Sequence, residues 1–172
     1  MEETIFNWDD YFWVADVNLE SWRKLWNKPI ELTFAPEGRD DSPLTSKEKE
    51  LVQWVLDHEQ ALLDSFVDAV FKEYPEIKKK YSRWMDEEEI DEYLPEVKNK
   101  EELIRLISEP SIKVHQIQGK GAPFIGVQAN CTWDDEHALG VLMHGSEVLE
   151  IGGADTSFLL WMAERHAKKI NT

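Results

Sequence analysis

The chain has a single cysteine, Cys131, so it cannot close an internal disulfide. Its first residues, MEETIFNWDD, lack the basic segment and apolar run of a secretory signal, which points to a reducing cytoplasm. Long apolar runs are missing too: no window approaches the roughly 18 residues needed to span a bilayer, so a membrane role has no support. Basic residues are scarce, with 19 Lys and Arg against 35 Asp and Glu and a formal net charge of -16. That balance repels phosphate backbones and anionic lipid surfaces over about a Debye length, which argues against nucleic acid and leaves a basic protein as the partner it would suit. Glycine is poorly spaced for phosphate binding. GKGAPFIG places glycines at 119, 121 and 126 and leads into a strand, whereas a phosphate cradle needs a helix N-terminus. Gly152 and Gly153 do precede a helix, but no P-loop spacing follows, and the segment reads as a bend. Neither a two-histidine helical motif nor a cysteine pair is present.

What is present is apolar and aromatic. Of 172 residues 42% are hydrophobic and eight are Trp, enough for one domain over 1–172 with an aromatic-rich core. Two strands are expected within 8–35, from Tyr11 to Val17 and around Ile30, Leu32 and Phe34, separated by a short helix carrying Trp22, Leu25 and Trp26. Thr45 stands three residues before Glu48, the spacing of a capping box, and a helical region should open there and extend to 108. Leu51, Trp54, Val55, Leu62, Phe66 and Val70 recur every three or four residues, which predicts one long central helix over 45–74, stopped by Pro75. His58 lies on that stripe and reads as a partly buried histidine with one hydrogen bond, because no second ligand follows four residues on.

Residues 85–102 hold nine acids and two lysines. Such a run reads first as a solvated loop or helix edge, and otherwise as the place where a basic partner would dock. Its candidate contacts are Asp86, Glu87, Glu88, Glu89, Asp91 and Glu92. KEELIRLI then reads as a short amphipathic helix. From Ser111 the period changes to two, giving strands over 111–152 with Ile125, Val127, Ala129, Cys131 and Trp133 on one face and a turn at Gly145 and Ser146. Asp155 can cap a final helix, 155–169. The expected class is α+β: an antiparallel sheet packed against one long central helix plus a C-terminal helix.

The densest chemistry lies in CTWDDEHALG, residues 131–140. As a three-residue connection, Asp134 to Glu136 would set Trp133 opposite His137, Cys131 opposite Leu139 and Ala129 opposite Val141, keeping one face apolar. In this reading no residue is catalytic and no cofactor is held. The alternative is a metal-dependent hydrolase centred on Asp134, Glu136 and His137, with Asp155 or His144 completing the ligand set. A nucleophilic pair of Cys131 and His137 is opposed by the apolar face, where desolvation makes a thiol inert.

The run CTWDDEHALGVLMHGSEVLEIGGADTSF resembles a signature of bacterial proteins grouped as domains of unknown function, in which Trp-Asp-x-Glu-His-Gly-Leu-Gly-Val leads into a hairpin and a Gly-x-Ala-Asp segment. Ala138 stands where that pattern has Gly. The resemblance marks Trp133, Asp134, Glu136, His137 and Asp155 as the matching positions. Some similar proteins are small, acidic, cytoplasmic partners of bacterial toxin systems, so it implies protein binding, and an immunity protein neutralising a basic toxin in particular.

Overall fold

The alternating and helical periods resolve, in a computed structural model that describes residues 3–171, into a mostly antiparallel sheet with helices on both faces. The elements run β1 (Asn7–Trp8), β2 (Trp13–Val17), α1 (Glu20–Trp26), β3 (Ile30–Phe34), α2 (Ser46–Asp57), α3 (Glu59–Tyr81), α4 (Glu87–Tyr93), α5 (Lys100–Ile104), β4 (Ile107–Gly119), β5 (Ala122–Cys131), β6 (Leu139–His144), β7 (Glu147–Gly152), α6 (Asp155–Phe158) and α7 (Leu160–Ile170). The strands lie side by side in chain order. Only β3 and β4 pair in parallel, because the helices between them carry the chain back to the end at which β3 began. The class is therefore α+β, as the alternation implies. Met1, Glu2 and Thr172 of the expected 1–172 domain lie outside the described residues. Among the described residues no helix is long and apolar enough to cross a membrane.

The expected single helix over 45–74 is two helices, broken at His58. Its start is as the sequence implies, with Thr45 Oγ1 accepting from Glu48 N at 3.2 Å. The break is fixed from outside. Glu59 accepts from Glu20 N and Ser21 Oγ at the head of α1, and Glu59 O accepts from the Trp22 indole at 3.0 Å. His58 is exposed rather than partly buried, stacked on Trp54 and donating from Nδ1 to Trp54 O at 2.7 Å. Nor does Pro75 end the helix: α3 continues to Tyr81, and the buried Tyr74 and Ile77 on either side of the proline supply packing that offsets the ~3 kcal/mol a helical proline costs. Tyr74 Oη donates to Pro95 O at 2.7 Å, tying this end of the helix to the chain beyond α4.

On the face under α2 and α3, Leu32, Phe34, Ile112, Val127 and Val141 are fully buried, together with Trp22 and Phe66, whose rings stack 6.1 Å apart. The register of β5 and β6 differs from expectation. Ala129 pairs with Leu139 and Val127 with Val141, a slip of two residues that lengthens the connection. A slip of two leaves every side chain on its own face, so the apolar pattern survives it. The turns at Lys120–Gly121 and Gly145–Ser146 close tight hairpins, with Lys120, Gly121 and Gly145 at positive φ.

The opposite face is covered only in part. A Cβ on Gly126 would fall 1.8 Å from Ser157 O, and one on Gly140 2.0 Å from Gly153 O. These two glycines let α6 and its lead-in lie directly on β5 and β6. The expected helix 155–169 is divided at Leu159, and Asp155 makes no side-chain cap, since Ala154 occupies the N-cap position. Beyond α6, Phe124, Leu142 and Ala163 form a small second core under α7. Among the described residues, the part of this face formed by β2, β3 and the Lys113 stretch of β4 has no helix over it, and a cavity opens there.

Candidate functional site

Three places carry chemistry, beginning with residues 131–138. Both oxygens of Asp134 are occupied, one within the loop and one by α3. Oδ1 accepts from His137 N at 2.8 Å and from His137 Nδ1 at 3.2 Å, and Oδ2 accepts from Tyr81 Oη at 3.0 Å. Burial pushes the Asp134 carboxyl up, but the bonds from His137 N, Tyr81 and the His137 ring outweigh it and hold the carboxyl below the usual aspartate value. The same burial and bond push Tyr81 up to about 12. Cys131 is buried, and desolvation raises its thiol to about 12, too high for a thiolate nucleophile at neutral pH. Asp134 brings His137 to itself, but the His137 ring remains 70% exposed. Glu136 and Asp155 are exposed, and His144 is engaged elsewhere, donating to Gly119 O at 2.6 Å. Among the described residues no group of three or more His, Cys, Asp or Glu side chains is placed to hold a metal ion. Ala138 takes φ +58°, the left-handed conformation that the glycine of the resembling pattern would adopt without strain.

The acidic run forms the second place. Asp86 and Glu89 close a capping box, each carboxylate accepting the other's backbone N–H at 2.9 Å, and this starts α4. Asp86, Glu87, Glu88, Glu89, Asp91 and Glu92 are all exposed. Glu96 is drawn into an ion pair with Lys78 at 2.9 Å, while Glu87, Glu88, Asp91 and Glu92 have no ion-pair partner among the described residues. Immediately before this helix, at the end of the 3-10 turn Ser82–Trp84, Trp84 is 85% exposed, the most open large apolar side chain of the described residues. Its importance is not evident from composition. The available signal is its position between Arg83 and Met85, past the last turn of the apolar stripe of α3.

The third place is the uncovered sheet face. A cavity of about 700 Å³ lies over Val14, Thr33, Lys113 and Gln128, walled by Phe12, Pro36 and Phe158. Lys113 stands on β4 with β3 and β5 on either side, directly opposite Thr33, whose hydroxyl accepts from its ammonium at 3.5 Å. Burial lowers the Lys113 pKa, and the nearby Glu31 charge partly opposes this. Next to it β4 bulges between Val114 and Gln118. The bulge belongs to the stretch in which His115 is buried, donating from Nε2 to Ser157 O at 3.0 Å, while its Nδ1 and Gln116 Oε1 have no partner. The sequence only places Lys113 of SIKVHQIQ on the face opposite Ile112 and Val114, and nothing there marks a groove.

No curated protein and no solved structure matches the chain. Residues 6–159 match the model of a family described as a domain of unknown function (DUF6985), and the chain belongs to that family.

Proposed function

We propose that the chain is a non-enzymatic, acidic protein-interaction module whose partner is a basic protein, and that it serves as an immunity protein neutralising a basic toxin. The observation that carries this reading is Trp84, an exposed indole beside unpaired carboxylates of α4. Exposed aromatics that become buried on binding supply most of an interface's affinity, and like-signed charges around them speed encounter with an oppositely charged partner. The metal-dependent hydrolase centred on Asp134, Glu136 and His137 has no comparable support, since both Asp134 oxygens already accept protein hydrogen bonds.

The test is affinity capture from the native host with the wild-type chain and with Trp84→Ala, followed by titration of the retained protein against both. The wild type should retain a basic protein whose binding weakens as salt rises. Trp84→Ala should bind it at least tenfold more weakly, about 1.4 kcal/mol, with no change in melting temperature because the side chain is exposed. Equal retention by both forms, or binding indifferent to salt, would remove the reading.

A further inference from the structure

We propose that the groove between the β1–β2 loop and α6 binds a small carboxylic acid with an apolar body, its carboxylate meeting Lys113 Nζ on the sheet. The inference uses none of the α4 surface and stands apart from the partner reading. The cavity of about 700 Å³ is of a size that takes a small organic molecule. Its walls are apolar at Phe12, Val14, Pro36 and Phe158, and its polar groups are few and gathered on the sheet.

Those polar groups select the charge of the occupant. A half-buried ammonium in mid-sheet calls for a counter-charge, yet Lys113 has no carboxylate within 4.0 Å, only the Thr33 hydroxyl at 3.5 Å. Two of the acids lining the cavity are turned to the backbone rather than to Lys113, though they keep their charge. Asp9 Oδ1 accepts from Tyr11 N at 3.0 Å and Phe12 N at 2.6 Å, and Glu37 Oε2 accepts from Leu160 N at 2.6 Å, at the start of α7. Glu31 is exposed and lies beyond ion-pair distance from Lys113. An entering carboxylate would therefore gain the ammonium, a hydrogen from the Thr33 hydroxyl, and the Gln128 side-chain amide, which has no hydrogen-bond partner among the described residues. A neutral guest would leave the Lys113 charge unmatched, and a cationic one would have to turn to Asp9, Glu31 or Glu37, away from the ammonium.

The experiment is a ¹H–¹⁵N NMR titration of the full chain with phenylacetate, phenylacetamide and phenethylamine, repeated on Lys113→Met. Phenylacetate should give saturable shifts centred on Val14, Thr33, Lys113, Gln128 and Phe158. The amide and the amine, matched in shape, should bind at least tenfold more weakly, and Lys113→Met should lower phenylacetate affinity at least tenfold. The ligand comparison on the wild type holds whether or not the variant folds. Equal binding of the amide, tighter binding of the amine, shifts centred on other residues, or no saturation by about 10 mM would each overturn the assignment.

Discussion

Gly126→Ala should destabilise the fold by roughly 2–6 kcal/mol, through contact with one backbone oxygen. An ideal Cβ at this position would lie 1.8 Å from Ser157 O and 2.6 Å from its carbonyl carbon. Carbon and oxygen settle no closer than about 3.3 Å, so α6 must rise from the sheet by roughly 1.5 Å. Backbone cannot rotate aside as a side-chain tip can. Forcing a methyl into packed surroundings costs ~1–3 kcal/mol. The same movement breaks the bond from His115 Nε2 to Ser157 O, leaving a buried imidazole with neither nitrogen paired, at a further ~1–3 kcal/mol. For a chain of this size the combined cost corresponds to a melting temperature lower by about 10 °C. Gly121→Ala is the control: nothing lies within 4 Å of its Cβ, and only the strain of φ +80° applies, ~1–2 kcal/mol. Urea and thermal unfolding of the three proteins measure both costs. A Gly126→Ala loss below about 1 kcal/mol, or a larger loss at Gly121, would refute close packing of α6 on the sheet.

The loop at 131–138 yields three further expectations. Tyr81→Phe removes the bond to Asp134 Oδ2 and should cost about 1–2 kcal/mol at pH 7. Because the folded state holds the Asp134 carboxyl below its unfolded value, its stabilising contribution is complete above that unfolded value, near pH 4, and is lost as pH falls through the folded one. The gap between wild type and Tyr81→Phe should therefore close in acid; urea titrations showing a gap that persists or widens below about pH 3 would contradict this. Ala138→Gly should raise stability by roughly 0.5–1 kcal/mol, since relief of left-handed strain exceeds glycine's entropic cost; a lower urea midpoint would oppose it. Cys131, with a thiol raised to about 12, should resist iodoacetamide at pH 8 in the folded protein and react readily in urea, as mass spectrometry would read; equal rates in the two states would show the thiol to be accessible.

The sequence made some features legible because their causes are local. Alternation from Ile125 to Cys131 identifies the buried face of β5, and the Thr45–Glu48 spacing identifies the start of α2. Where the cause is remote, the reading fails. Nothing near His58 announces the helix break, which depends on Glu59 meeting Ser21 and Trp22, 38 and 37 residues away. The hairpin register escaped because a slip of two residues preserves which side chains face the core, and alternation reports nothing else. The acidic candidates at 86–92 were legible from charge alone, and exposure is the ordinary condition of such a run. The groove at Lys113 was not legible, since it exists where α6 and α7 leave β2, β3 and the Lys113 stretch of β4 uncovered.

The one parallel strand pair has a consequence for how the chain is made. Thr33 and Lys113 are 80 residues apart, so joining β3 to β4 closes a loop whose chain entropy costs on the order of 4 kcal/mol, whereas β4 to β7 form by short hairpin closures. The pairings of the C-terminal meander can therefore form early, while the free edge of β3 must wait for β4. During synthesis the first three strands leave the ribosome well before their partner, with the edge of β3 unpaired and its Ile30, Leu32 and Phe34 uncovered. Fragments that stop before Ser111 retain that edge permanently and should aggregate, while fragments beginning near Ile107 contain a sheet whose pairings are all local.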